Sequence, residues 1–172
     1  MSESNFDVSL QHTLKEEGGF SDHPKDPGGA TMKGVTLDTY RSYKNNQHLT
    51  PENLKKITDA ELRDIYLRRY WNAAKCNDLP PGVDMCVFDT AVNSGPGRAS
   101  KILQECVGAV PDGVIGPKTL AAVKATDPVD LIAKYCETRL KFLRALPTFE
   151  TFGKGWTARV ERLQKEALAL LK

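Results

Sequence analysis

Val83-Asp84-Met85-Cys86-Val87-Phe88-Asp89-Thr90-Ala91-Val92 is apolar around nearly its whole circumference, which marks a helix buried on most sides. Stop signals bracket it: Leu79-Pro80-Pro81-Gly82 before and Asn93-Ser94-Gly95-Pro96-Gly97 after. A helix of this kind must be wrapped by others, and the flanking sequence supplies them. Toward the N-terminus, Phe6, Leu10 and Leu14 recur every fourth residue and predict a helix from about Asn5 to Glu17, capped at Asn5 and stopped by Gly18-Gly19. Thr36, Thr50-Pro51 and Thr58-Asp59-Ala60-Glu61 read as further helix starts, the last with capping-box spacing. It leads a helix to about Trp71 with Leu62, Ile65, Tyr66 and Tyr70 on one face.

Toward the C-terminus, Ile102, Leu103, Cys106 and Val107 mark one helix, and Asp127-Pro128 opens a longer one carrying Leu131, Ile132, Tyr135, Leu140 and Leu143. Trp156, Val160, Leu163, Ala167 and Leu170 mark the last. Alternating strand patterns are nearly absent. The exception to helix is Phe20 to Val35, FSDHPKDPGGATMKGV, whose prolines and glycines predict turns with a short hairpin. The expected class is mainly α, with a short irregular or β-hairpin segment near residues 20–36.

The 172 residues suit one globular domain. No stretch approaches the roughly 20 apolar residues that cross a bilayer, which excludes stable membrane insertion through a helix. Met1-Ser2-Glu3-Ser4-Asn5-Phe6-Asp7 lacks the basic start and apolar run of a secretory leader, so synthesis in the cytoplasm is expected. Cys76, Cys86, Cys106 and Cys136 form no CxxC or Cys/His metal pair and are expected to be reduced, small, buried residues. His12, His23 and His48 lie too far apart in sequence for a zinc motif, so no metal is expected. Residues 1–92 carry 11 Lys+Arg against 14 Asp+Glu, a net −3; residues 93–172 carry 13 against 8, a net +5. A basic half suits an anionic partner. Its bases are interspersed with acids, which argues against nucleic acid.

Chemistry concentrates around the irregular segment. Glu17 lies three residues after Leu14, on the apolar stripe, whereas Glu16 falls toward solvent at about 100° per residue. A carboxyl against an apolar face is partly desolvated, which favours the protonated form that a general acid needs. Asp22, Asp26 and Thr31 follow in the loop, and its glycines allow a carboxylate and a hydroxyl to approach Glu17. Such a pair can hold a water for attack on a sugar carbon; Asp22 and Asp26 can equally make Asx turns. Asp89 and Asn93, four apart on or just after the buried helix, either satisfy backbone groups or line a cleft floor. Tyr40, Tyr43, Tyr66, Tyr70 and Trp71 are either core or sugar-stacking platforms.

The run Leu14-Lys15-Glu16-Glu17-Gly18-Gly19-Phe20, then Asp22-His23-Pro24-Lys25-Asp26-Pro27-Gly28-Gly29-Ala30-Thr31 and Gly34-Val35-Thr36, resembles the opening signature of glycoside hydrolase family 108. The resemblance continues through Tyr70-Trp71 and Phe88-Asp89-Thr90-Ala91-Val92-Asn93-Ser94-Gly95. From about residue 97, centred on Pro111 to Leu120, the chain is similar to the predicted peptidoglycan-binding region that accompanies that family. The resemblance implies a lysozyme-like α fold and an N-acetylmuramidase that cleaves the β-1,4 bond between N-acetylmuramic acid and N-acetylglucosamine. It makes Glu17 the catalytic acid, with Asp26 and Thr31 as its partners in the order that phage-type lysozymes use, the Asp-to-Thr gap being one residue shorter here. Tyr70, Trp71, Asp89 and Asn93 become candidate substrate-binding residues.

The expected organisation is a catalytic region over 1–96 and a helical region over 97–172, packed into one unit. The implied partner is bacterial peptidoglycan, reached by a monomer through a holin or a dedicated secretion route and attacked in the periplasm or cell wall, with no cofactor. Two other readings fit the same residues. A lytic transglycosylase would use one acid and leave 1,6-anhydro ends, and a non-catalytic wall-binding secretion helper would leave Glu17 structural.

Overall fold

A computed structural model describes residues 4–22 and 29–171. Helix α1 covers Asn5–Glu16, and a two-stranded antiparallel hairpin follows, β1 (Thr31–Met32) and β2 (Val35–Thr36). Helices α2 (Leu37–Lys44), α3 (Pro51–Lys55) and α4 (Asp59–Tyr66) come next. Then come α5 (Val83–Ser94), α6 (Pro96–Val107), α7 (Pro117–Lys124), α8 (Pro128–Arg144) and α9 (Phe149–Ala169). The class is mainly α, as the periodicity predicts.

Helix α5 is the axis of the fold. Every residue from Val83 to Ala91 is buried, and α1, α6, α8 and α9 pack around it. Phe88 meets Phe6 and Trp71 edge-on, with ring centroids 5.7 and 5.6 Å away, the geometry that ring quadrupoles favour. Truncating a core aromatic such as Phe88 to Ala typically costs about 3–5 kcal/mol. Gly82 precedes α5 at φ +87°, and a Cβ there would lie 2.8 Å from both the Ala167 carbonyl oxygen and Ile132 Cδ1. Only glycine lets the start of α5 come this close to α8 and α9.

The caps explain why the small helices of the N-terminal half start where they do. Thr36, Thr50 and Thr58 each accept a hydrogen bond from the backbone N–H three residues on, and Thr58 with Glu61 completes a capping box. The first helix is capped by Ser4, one residue before the expected Asn5; Ser4 Oγ accepts from the Asp7 N–H at 3.1 Å. After Tyr66 the helix widens into a π-helical turn, Leu67–Trp71, with Asn72 N–H reaching back five residues to the Leu67 carbonyl. It turns Trp71 into the core at 1% exposure.

The irregular segment is the hairpin expected near residues 20–36. Thr31 pairs with Thr36 and Met32 with Val35, joined by Lys33-Gly34 at φ +49° and +83°. Two consecutive positive φ values are the type I′ turn that suits a two-residue hairpin. Ser21 adds a bridge on the other side of Thr31 through two backbone hydrogen bonds of 2.7 and 2.8 Å. Among the described residues, this bridge is what ties the chain after α1 to the hairpin. The four cysteines are free and buried.

Candidate active site

The last helical residue of α1 is Glu16, and Glu17 is already extended, at φ −91° and ψ 145°. The two glutamates are therefore not ordered by the helical wheel, and the expectation that Glu16 faces solvent is overturned. Glu16 is one-tenth exposed and Glu17 one-fifth. Each meets an arginine of α9 one turn apart. Arg162 makes two hydrogen bonds to Glu16, at 2.7 and 2.9 Å, and holds its carboxyl below the usual range. Arg159 Nη1 donates to Glu17 Oε1 at 3.2 Å. The wall beside Glu17 is thus a guanidinium as well as apolar surface.

Beneath Glu17 lies a buried ion cluster. Asp89, fully buried in the middle of α5, accepts from Arg159 Nε and Nη2 at 3.2 and 3.1 Å. It also accepts from Arg139 Nη1 at 2.8 Å and from Thr13 Oγ1 at 2.9 Å. These four hydrogen bonds, two on each oxygen, fill the roughly four acceptor sites of a carboxylate. Burial alone would push the Asp89 carboxyl up, but the two guanidinium groups outweigh it and hold it well below the carboxylate range. Asn93, one turn along α5, accepts from Arg139 Nη2 at 3.1 Å.

The hairpin closes the other side. Tyr66 donates its hydroxyl to the Lys33 carbonyl at 2.6 Å, drawing the turn down onto α4. A Cβ at Gly34 would collide with that hydroxyl and lie 3.1 Å from Glu17 Cγ. The turn therefore touches Glu17 because Gly34 has no side chain. Burial, with the charge of Glu17 adding to it, pushes the Tyr66 hydroxyl up; at Tyr70 burial does so against Arg69, again with Glu17 adding. The Tyr66 and Tyr70 rings are 5.5 Å apart, and Tyr70 is half-buried.

The sequence-derived residues therefore separate. Glu17, Thr31 and Tyr70 belong to the hairpin side of the molecule. Tyr70 keeps part of its surface open to solvent. Trp71 does not: it is packed among Phe6 and Phe88, and its indole N–H is taken by Asn77 at 2.7 Å. The π-turn carries it inward, leaving no surface for substrate. Asp89 does not reach a cleft floor either, being saturated by its four donors. Asn93 is half-buried and occupied by Arg139. Asp26 lies outside the described residues.

Arg139 and Arg159 are the site residues that the periodicity reading passed over. Both sit on apolar stripes: Arg139 between Tyr135 and Leu143 on α8, Arg159 between Trp156 and Leu163 on α9. A cation at a stripe position, opposite an acid in the middle of a buried helix, is the signal that pairs them with Asp89.

The family model described as glycosyl hydrolase 108 matches residues 10–95, and one described as a predicted peptidoglycan domain matches residues 98–161. The solved structure of SagA from Brucella abortus superposes with a TM-score of 0.87 at 47% identity, over 96% of this chain and 94% of that one. The chain belongs to glycosyl hydrolase family 108. No curated protein matches it. As a member of that family carrying the accompanying peptidoglycan region, it is a glycoside hydrolase of peptidoglycan with the lysozyme-like α fold.

Proposed function

We propose that the protein is an N-acetylmuramidase that cleaves the β-1,4 bond between N-acetylmuramic acid and N-acetylglucosamine, with Glu17 as the general acid. The observation carrying this reading is the setting of Glu17. It stands past the end of α1 with one oxygen held by Arg159, its stem against Gly34, and one-fifth of its side chain open to solvent. Among the described residues its hydrogen bond falls on Oε1, which leaves Oε2 to carry a proton to the glycosidic oxygen. The C1–O bond then breaks, the N-acetylglucosamine unit leaves as its 4-hydroxyl, and a water oxygen bonds to C1 as its proton passes to a base. Asp26, with Thr31, is assigned to that water or to the charge developing on the sugar. Tyr70 offers a stacking face, and the net +5 of residues 93–172 favours approach to an anionic wall.

The test compares wild type with Glu17→Gln on permeabilised Gram-negative cells, by turbidity and by mass spectrometry of released fragments. Clearing by wild type alone, with reducing muramic acid ends, is expected. A fully active Glu17→Gln variant overturns the assignment of the acid, and 1,6-anhydro ends replace hydrolysis by transglycosylation. Wall binding without clearing by either protein leaves a non-catalytic binding role.

A further inference from the structure

Glu17 is held from a part of the chain 142 residues away, inside the segment that matches the peptidoglycan region rather than the hydrolase. We propose that Arg159 is a positioning residue for the Glu17 carboxyl, so that the C-terminal region completes the active site as well as meeting the wall. The inference rests on Glu17 being the catalytic acid.

The geometry is that of a fixed fork. Arg159 spends Nε and Nη2 on the two oxygens of Asp89, a bidentate arrangement that fixes the guanidinium plane. Asp89 is itself pinned by Arg139 and Thr13. With α5, α8 and α1 all anchoring that carboxylate, Nη1 of Arg159 has one direction left, and Glu17 Oε1 lies there. Arg159 is almost wholly buried, so the pair is screened far less than a surface ion pair.

Glu17 needs such a partner. It follows the helix in extended backbone and precedes Gly18-Gly19, where a Cβ would meet nothing within 4 Å. Its stem touches the Gly34 turn, but neither the helix nor the two glycines that follow hold its carboxyl end. A glutamate side chain loses rotamer freedom when fixed, and catalytic groups act efficiently only when that fixing precedes the reaction. Arg159 supplies it by holding one oxygen. It also faces the negative charge left on Glu17 once the proton has gone to the leaving group.

Arg159→Met and Arg159→Lys are compared with wild type and Glu17→Gln on soluble peptidoglycan fragments, each variant checked by circular dichroism and thermal melting. The Met variant is expected to lose about 100-fold in kcat, with KM within about twofold of wild type. The Lys variant keeps a cation beside Asp89, and so the fold. A single ammonium lacks the fork that serves Asp89 and Glu17 together, so its kcat falls about tenfold, again without a KM change. If the Met variant does not fold, the Lys variant decides alone. A folded variant with wild-type kcat, or a loss confined to KM, overturns the proposal. Activity in Glu17→Gln instead overturns the assignment of the acid on which it rests.

Discussion

Arg162 grips Glu16 with a two-pronged pair one helical turn from the point where Arg159 reaches Glu17, so the last residue of α1 and the residue after it are each tied to α9. The two pairs are not equivalent. Arg162 is more than half exposed, whereas Arg159 is nearly sealed. An exposed arginine forfeits most of its pair's Coulomb energy to solvent.

Exchanging the acids should therefore give opposite results. Glu16→Gln is expected to cost no more than about 1 kcal/mol of stability and to retain lytic activity. Glu17→Gln is expected to abolish lysis while leaving the circular dichroism spectrum intact. A Glu16→Gln protein as inactive as Glu17→Gln would contradict the division of roles.

Breaking the buried cluster is a matter of stability first. Asp89→Ala leaves Arg139 and Arg159 facing each other without their shared carboxylate, and uncompensated buried charge typically costs about 3–5 kcal/mol. Urea denaturation should show the midpoint falling accordingly. An unfolding free energy within about 1 kcal/mol of wild type is the result that removes Asp89 as the keystone.

Asp84 gives a pH dependence. It is buried at the start of α5, accepting from the Gly82 and Met85 N–H groups at 3.0 and 2.6 Å. Burial pushes its carboxyl up from 3.8 to about 6, against these hydrogen bonds and one from Asn5. A folded-state pKa above the unfolded value means the native state binds the proton more tightly. The stability this confers is complete below about 3.8 and is lost as pH rises toward about 6. Asp84→Asn, which stays neutral and still accepts both bonds, should be more stable than wild type by about 3 kcal/mol above pH 6, the difference shrinking toward pH 4. Thermal melts of both proteins across that range check it, and equal shifts at all pH values refute it.

Gly34→Ala meets two obstacles at once, a positive φ and the Tyr66 hydroxyl. A cost of at least about 1 kcal/mol is expected for the backbone conformation alone, together with reduced lysis, because the turn must lift away from Glu17. Adding Tyr66→Phe removes the atom struck first and should recover part of the lost stability. No recovery in the double variant would place the strain in the backbone only.

Much of the architecture was legible from periodicity and punctuation. The run Val83–Val92 announced the buried axis, and Thr36, Thr50 and Thr58 announced their helices, because capping and apolar spacing are local. The hairpin was legible as a break in helix pattern, its two-residue turn less so. Positions near Glu17 were harder. The helical wheel separates Glu16 from Glu17 only while the helix continues, and it ends between them. The π-turn rotates Trp71 inward by a step that a regular period does not contain. The arginine cluster depends on contacts spanning 50 and 70 residues, beyond any local window, although polar residues on apolar stripes hinted that partners existed.

The 142-residue separation of Glu17 and Arg159 has a meaning in time as well as in space. Ribosomes add about 5–20 residues per second, N-terminus first, so roughly 7 to 28 s pass between the making of one residue and the other. Through that interval α1 has no α9 to clasp, and Asp89, once made, waits 50 residues for Arg139 and 70 for Arg159. The nascent hydrolase is thus held unfinished until its last helix emerges, and the order of synthesis itself delays the moment at which a wall-cutting centre is assembled.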